Sequence, residues 1–342
     1  MNPNFLNIIN APVSDRRDLF LSAANRVGTT IQNIEKDFWV CWVLDLLFNN
    51  KSTGEPRLLF KGGTSLSKAY GLISRFSEDV DITVFREDLG QNIEPADLEN
   101  LSGKQQRQKL DQIKKSCQIY IQGSLINRLN KIMAEYQLAP VLLDPSDPDQ
   151  QTLLVQYPSV TYIQNSYIQP SVKIEAGAKS ALDPHQSVNI SPYISEDLPE
   201  NNLIIQNIIT INPERTFWDK VVILHGLRRW HDHRGGLRHE GNRVSRHYYD
   251  LYQLLNSNIG QQARKDKSLA INCAHHAELF FNSKDFDLKD ARPGSFTLSP
   301  SLEMISFLKK DYLAMSTMIF GEVPDFEAVI QKIRVFELEI NQ

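Results

Sequence analysis

The sequence has little cysteine and no long apolar run. Its three cysteines are scattered along 342 residues and none forms a C-x-x-C pair. This spacing argues against a disulfide framework and against a structural zinc site. The longest apolar stretch, Phe38 to Phe48, is too short to span a bilayer and contains Asp45. Because Met1 to Pro12 also lacks the basic start and apolar run of a secretory signal, we expect a cytoplasmic protein with no membrane partner.

The sequence also lacks an excess of positive charge. Its formal net charge is −4, so a general attraction to nucleic acid is excluded and any RNA contact must come from a local patch. With 41% hydrophobic residues, the chain can bury a sizeable core in one large domain or two medium ones. The composition is therefore that of an ordinary enzyme.

The stretch from Phe60 to Ser65 is the first motif that indicates chemistry. A short apolar run, Arg57 to Lys61, ends at Gly62 and Gly63, as a buried strand does when it enters a tight turn. Thr64 then has the position of a helix N-cap. Backbone amides and hydroxyls that converge in this way favour a phosphate, although two glycines before a helix are also typical of a simple turn. The predicted nucleotide-binding residues are Lys61, Gly62, Gly63, Thr64 and Ser65.

The second motif, Asp79 to Val84, follows after one predicted helix. Aliphatic residues alternate here with Asp79, Asp81 and Thr83, so a strand would bury one row and direct both carboxylates to the other face. Two adjacent acids repel each other and Asp is a poor strand former, so the pair needs a cation. Magnesium shared with substrate phosphates suits such hard oxygen ligands. A solvated edge strand is the alternative.

These two motifs resemble the signature of DNA polymerase β-like nucleotidyltransferases. More narrowly, the chain resembles the AbiEii/AbiGii-type toxin nucleotidyltransferases of type IV toxin–antitoxin systems in three segments: Phe60 to Ile82, Pro213 to Lys220 and Arg246 to Tyr252. The resemblance implies an α+β fold whose core is a mixed sheet flanked by helices. It implies a core over residues 1–211, with a helical insertion near 104–136, and a helical region over 212–342 that completes the active-site cleft.

The resemblance also implies a third metal carboxylate on a later strand. The pattern between Thr152 and Ile211 changes to strands, and in Ser171 to Ala176 the apolar residues alternate with Lys173 and Glu175. Glu175 therefore becomes the candidate that joins Asp79 and Asp81 in holding Mg²⁺ or Mn²⁺. An exposed strand glutamate without any metal role is the alternative.

Two candidate residues lie on helices of the last third of the sequence. Lys220 lies at the margin of an apolar stripe, so its ammonium either extends outward or meets an anion. In the toxin family a lysine at this place is functional, which is consistent with neutralisation of triphosphate charge. Spacing alone predicts that Asp250 is solvated, but the family needs an Asp in this motif. Whether Asp250 or His247 takes that role stays open.

Between these helices, residues 225–239 are rich in Arg, His and Gly, and we predict a loop there. Arg228, Arg229, Arg234 and Trp230 would provide positive charge and a stacking ring for RNA. His231-x-His233 could indicate zinc, but no further ligand stands at a suitable spacing. A surface loop without function is the remaining interpretation.

Taken together, the motifs predict a nucleotidyltransferase that moves a nucleoside monophosphate from a nucleoside triphosphate to an acceptor hydroxyl. The predicted catalytic residues are Asp79, Asp81, Glu175, Lys220 and Asp250, with two divalent ions that activate the acceptor and stabilise pyrophosphate. The resemblance implies a tRNA 3′ end as acceptor and a cognate antitoxin as partner. Transfer to a protein hydroxyl and a non-catalytic nucleotide-binding regulatory module are the alternatives.

Overall fold

The computed structural model describes residues 2–161, 169–198, 200, 202–238 and 243–342. The helices over these residues are α1 (Asn4–Ile9), α2 (Val13–Val27), α3 (Ile31–Phe48), α4 (Gly62–Lys68), α5 (Pro95–Glu99), α6 (Gly103–Tyr120), α7 (Ile126–Glu135), α8 (Pro213–Arg234), α9 (Ser245–Leu255), α10 (Asn258–Ala263), α11 (Lys267–Phe280), α12 (Leu302–Ser316) and α13 (Phe326–Ile340). The strands are β1 (Leu58–Lys61), β2 (Asp79–Val84), β3 (Leu142–Leu143), β4 (Thr152–Gln156), β5 (Ser171–Gly177), β6 (His185–Ile190) and β7 (Ile205–Ile211). The predicted α+β class is confirmed.

The strands form one mixed sheet in the order β3-β4-β5-β2-β1-β7-β6. β2 lies in the interior of this sheet, where it pairs antiparallel with β1 and parallel with β5. Val80 and Ile82 are fully buried, whereas Asp79 and Asp81 on the alternate positions are only partly buried. The alternation read from the sequence therefore has its expected physical result: an apolar row on one face and a carboxylate row on the other.

Helix α3 packs against β2, β5 and β7. Its apolar residues cover every side of the helix, and all residues from Asn33 to Leu47 are buried, as expected for a helix inside the core. No helix in the described part of the chain is long and apolar enough to cross a membrane.

The first turns of α3 bury three consecutive charged residues, Glu35, Lys36 and Asp37. The Lys36 ammonium donates a hydrogen bond to the carboxylate of Glu78 at 2.5 Å. Glu78 is the residue directly before β2. Asp37 accepts a hydrogen bond from Lys68, at the end of α4, at 2.7 Å. Lys36 and Asp37 therefore join the start of α3 to β2 and to α4.

The chain divides into two compact units. Unit 1 comprises Met1–Ala69, Phe76–Ile93 and Leu101–Ile211, and therefore contains the whole sheet. Unit 2 comprises Tyr70–Arg75, Glu94–Asn100 and Asn212–Gln342, and is built from α5 and α8 to α13. The segment that carries Arg75 thus belongs to unit 2, although Asp79, four residues later, belongs to unit 1.

Two elements differ from the sequence expectation. Helix α4 begins at Gly62 with Lys61 as its N-cap, so the prediction that Thr64 caps this helix is wrong. Helix α8 continues to Arg234, so the loop predicted over 225–239 is wrong for residues 225–234, and residue 239 lies outside the described residues. Gly226 lies within α8 and does not break the helix, and a Cβ there would make only an ordinary contact with Phe286, at 3.5 Å.

Replacing Lys36 by methionine tests the buried contact between α3 and β2. The Lys36→Met variant leaves the Glu78 carboxylate buried without its ammonium, so the free energy of unfolding should fall by about 3–5 kcal/mol in urea titrations. The double variant Lys36→Met/Glu78→Gln should recover part of this loss. Lys114→Met, which removes an exposed ion pair with Asp149, is the control and should cost less than about 1 kcal/mol. Equal losses for Lys36→Met and Lys114→Met would contradict the structural role.

Candidate active site

One face of the sheet in unit 1 carries a row of charged residues. The register places Lys61 of β1 directly opposite Asp81, and on the other side of β2 it places Lys173 opposite Asp79 and Glu175 opposite Asp81. Paired residues in a sheet point to the same face. Asp79 and Asp81 therefore have a lysine beside them on each neighbouring strand.

The turn after β1 touches this row through Gly62. Gly62 has φ +78°, a left-handed conformation that glycine adopts without steric cost. A Cβ at this position would lie 2.0 Å from Oδ2 of Asp81 and 2.9 Å from its Cβ. No other residue type fits here without displacing Asp81. The glycine turn and the Asp-x-Asp strand, predicted separately from the sequence, are thus in direct contact.

The two hydroxyls of the turn make internal hydrogen bonds. Thr64 is fully buried, and its Oγ1 donates to the carbonyl oxygen of Asp79 and lies 2.9 Å from Oγ of Ser77. Oγ of Ser65 donates to the carbonyl oxygen of Gly62 at 2.8 Å. These hydroxyls therefore fasten the turn to β2 and to itself, and a phosphate-binding role for Thr64 and Ser65 stays a prediction.

Glu175 contacts a lysine of its own strand. Nζ of Lys173 lies 3.2 Å from Oε1 of Glu175 and 3.4 Å from Oδ2 of Asp144. Partial burial alone would lower the pKa of Lys173, but Glu175, with further help from Asp79 and Asp144, outweighs it and raises that pKa. The ammonium therefore stays charged at neutral pH.

The residues of this face fit a magnesium ion in part. Asp79 and Asp81 are hard oxygen ligands on one face, next to a turn suited to phosphate, and Mg²⁺ typically takes one or two carboxylates plus substrate phosphates and water. Across the described ranges, no group of three His, Cys, Asp or Glu side chains is arranged to hold a metal ion. The fit therefore holds for the aspartate pair and does not extend to Glu175.

Unit 2 contains a second cluster, around Asp250. Asp250 is fully buried and accepts hydrogen bonds from Arg75 Nε at 2.7 Å and Nη2 at 2.8 Å, while Lys220 Nζ contacts its Oδ2 at 2.8 Å. Arg75 and Lys220 are themselves 4% and 6% exposed. The expectation from spacing that Asp250 is solvated is wrong, and Lys220 meets an anion, as one of the two interpretations required.

The charges of this cluster stabilise one another. Burial alone would raise the pKa of Asp250, but Arg75 and Lys220 outweigh it and hold that pKa below its usual range. Burial lowers the pKa of Lys220, and Asp250 opposes this shift. Burial, together with Lys220 and Arg246, keeps the pKa of His247 well below its usual value, so its imidazole is neutral at pH 7. The ion pair with Lys220 favours Asp250 over His247 as the residue of the predicted motif.

The predicted RNA-binding residues lie at the end of α8, among aspartates. Nε of Arg228 contacts Asp232 at 2.9 Å, and Nη2 of Arg234 contacts Asp285 at 2.6 Å. Arg229 lies 3.9 Å from both Asp232 and Asp287, and Trp230 packs against Phe286. Carboxylates thus compensate much of this positive charge, which weakens the case for a phosphate-binding patch.

Sequence reasoning missed three contacts. Arg75 binds the candidate Asp250, Lys173 binds the candidate Glu175, and Lys36 binds Glu78, the residue before the candidate Asp79. Lys173 had a signal, because it alternates with Glu175 on the polar row of a predicted strand. Arg75 had none, because its partner Asp250 lies 175 residues away in the sequence.

Paired carboxylates on a strand beside a glycine turn are typical of enzymes that bind a nucleoside triphosphate with a divalent cation. The model of one such family, the nucleotidyl transferase AbiEii toxins of type IV toxin–antitoxin systems, matches residues 45–332. The chain belongs to this family. It is therefore a nucleotidyltransferase toxin, and membership implies a nucleoside triphosphate as substrate and an antitoxin as partner.

The comparisons with curated proteins and with solved structures do not extend the family assignment. No curated protein matches the chain significantly. Among solved structures the chain is similar to MenT4, a nucleotidyltransferase toxin from Mycobacterium tuberculosis H37Rv, at 14% sequence identity and a TM-score of 0.49. That alignment covers 94% of this chain and 89% of MenT4. Similarity at this level carries no inference about activity.

The contact between Gly62 and Asp81 predicts a large effect of a single methyl group. Gly62→Ala should reduce the free energy of unfolding by about 1–3 kcal/mol more than Gly54→Ala, measured by urea denaturation. Gly54 is a matched control because its φ is also positive, at +85°, but a Cβ there would meet nothing within 4 Å. Gly54→Ala thus has only the backbone cost of about 1–2 kcal/mol. Equal costs for both variants would show that Asp81 does not constrain the turn.

Asp250→Asn should destabilise unit 2 and change its pH dependence. The variant leaves two buried cations without a carboxylate, at a cost of about 3–5 kcal/mol at pH 7. Because the folded pKa of Asp250 is lowered, its contribution is full above the unfolded pKa of about 3.9 and is lost as pH falls through the folded value. The stability difference between wild type and variant should therefore shrink only below about pH 4. Asp232→Asn, at a more exposed ion pair, is the control, and a difference that shrinks near neutral pH would contradict the assignment.

Proposed function

We propose that this protein transfers a nucleoside monophosphate from a nucleoside triphosphate to the 3′ end of a tRNA in a reaction that depends on Mg²⁺ or Mn²⁺. The observation that carries the nucleotidyl-transfer step is the contact of Gly62 with Asp81, which brings a turn suited to phosphate and a carboxylate pair suited to a metal ion together on one face of the sheet. The tRNA acceptor rests on the family resemblance. A solvated edge strand would have neither the close contact nor an interior position in the sheet.

Each part of this face has a distinct task. Asp79 and Asp81 would hold the metal ion, which supplies positive charge to the triphosphate oxygens and to the departing pyrophosphate. The backbone amides of Gly62, Gly63 and Thr64 and the ammonium of Lys61 would bind the terminal phosphates. In such transfers positioning and charge neutralisation provide most of the rate acceleration.

The Lys220–Asp250 pair supports a further part of the proposal. Arg75 and Lys220 both contact the buried carboxylate of Asp250, which holds the Lys220 ammonium in a fixed position. We assign Lys220 to neutralisation of triphosphate charge, and Asp250 to holding the lysine side chain in place. The fixed geometry of the pair supports these roles, because Asp250 lies between the two cations.

Transfer of labelled nucleotide tests the function. The purified protein is incubated with each α-³²P nucleoside triphosphate, Mg²⁺, total tRNA and a cell lysate, and RNA and protein are separated by electrophoresis. We expect label on tRNA, dependent on the divalent cation. Asp81→Asn should reduce the rate by about a hundredfold or more, because it removes a metal carboxylate.

Asp149→Asn, a substitution at an exposed ion pair in unit 1, should leave the rate unchanged. Label on protein instead of RNA would show that the acceptor is a protein hydroxyl and not a tRNA. Nucleotide binding without any transfer would indicate a regulatory module and would refute the catalytic role of the aspartates.

A further inference from the structure

We propose that Lys173 is a nucleotide-binding cation of this site, positioned by Glu175 and Asp144, and that Glu175 does not ligate a metal ion. The inference rests on the proposed function and adds one substrate-binding residue and two positioning residues to it. It also replaces the third metal carboxylate that the sequence suggested.

The register fixes Lys173 next to the metal-binding carboxylates. It lies on β5 directly opposite Asp79, on the same face of the sheet as Asp81 and Lys61. Its side chain is 35% exposed, so the ammonium is within reach of a ligand on this face and still partly shielded from water. Lys61 and Lys173 thus stand on the two sides of the aspartate pair.

Two carboxylates contact the ammonium of Lys173. Oε1 of Glu175 lies 3.2 Å from Nζ of Lys173, and Oδ2 of Asp144 lies 3.4 Å from it. Asp144 is itself fixed, because its other oxygen accepts hydrogen bonds from the backbone N–H of Ser146 at 2.9 Å and from its hydroxyl at 2.6 Å. The partly exposed Lys173 is thus paired with a mostly buried carboxylate whose position is fixed, which is unusual for a lysine that only faces solvent.

In this arrangement the Glu175 carboxylate is paired with the Lys173 ammonium and not with a metal ion. A third metal ligand would have to leave Lys173, and the described residues contain no cluster of three ligands around Asp79 and Asp81. A fixed ammonium binds phosphate oxygens as a point charge. Lys173 therefore provides, close to the triphosphate, positive charge that a second divalent ion would otherwise supply.

Measuring nucleotide binding without metal distinguishes the role of Lys173 from that of the aspartates. Dissociation constants for ATP, GTP, CTP and UTP are measured by calorimetry in EDTA. Lys173→Met should weaken binding of the preferred nucleotide by about tenfold to a hundredfold, because one charge-assisted hydrogen bond is lost. Lys173→Arg should retain most of the affinity, whereas Asp81→Asn should not reduce it, because no metal ion is present. Lys114→Met, which has similar exposure and also an aspartate partner, is the control.

Wild-type affinity in Lys173→Met would overturn the proposal, as would a wild-type protein that binds none of the four nucleotides without a divalent cation.

Manganese binding provides the second measurement. Electron paramagnetic resonance in the presence of the nucleotide should show one Mn²⁺ per chain both in the wild type and in Glu175→Gln. Two ions in the wild type and one in Glu175→Gln would make Glu175 a metal ligand after all. Neither measurement depends on turnover. A failure of nucleotide transfer would therefore reject the proposed function without affecting the test of Lys173 and Glu175.

Discussion

The close approach of Asp81 to Gly62 is the constraint on which the candidate site depends. A left-handed glycine without a side chain allows the carboxylate to lie against the turn, and Thr64 then fixes the same turn to the backbone of Asp79. Both ends of the Asp-x-Asp segment are therefore held by the first turn of α4. The chemistry of the site and the geometry of β1, α4 and β2 cannot be altered independently.

Buried charges support this arrangement from within unit 1. Lys36 holds Glu78, the residue before β2, and Asp37 holds Lys68 at the end of α4. Such pairs contribute little net stability compared with apolar residues of the same size, but they are specific about which partner they accept. The start of α3 thus selects one placement for the turn and the strand, while its apolar remainder supplies most of the burial.

The sequence predicted the parts of the fold that local pattern determines. Alternating apolar and polar residues located β2 and β5. Strand β6 was missed because most of it is exposed and its residues do not alternate. The end of α8 was taken for a loop because Gly226 and several charges looked irregular, whereas the glycine faces Phe286. Asp250 could not be placed correctly either, because its burial depends on Arg75, and no local pattern reports a partner so distant in sequence.

The interior position of β2 has one more consequence. Side chains in a strand alternate with a period of two, so a shift of this strand by a single residue against β1 and β5 would exchange its two rows. Val80 and Ile82 would then face outward, and the two acids would enter the apolar interior. Such a misaligned chain would lose its core and its active face at once. An error in the pairing of this strand would therefore give an unfolded protein and not a folded chain with an inactive site.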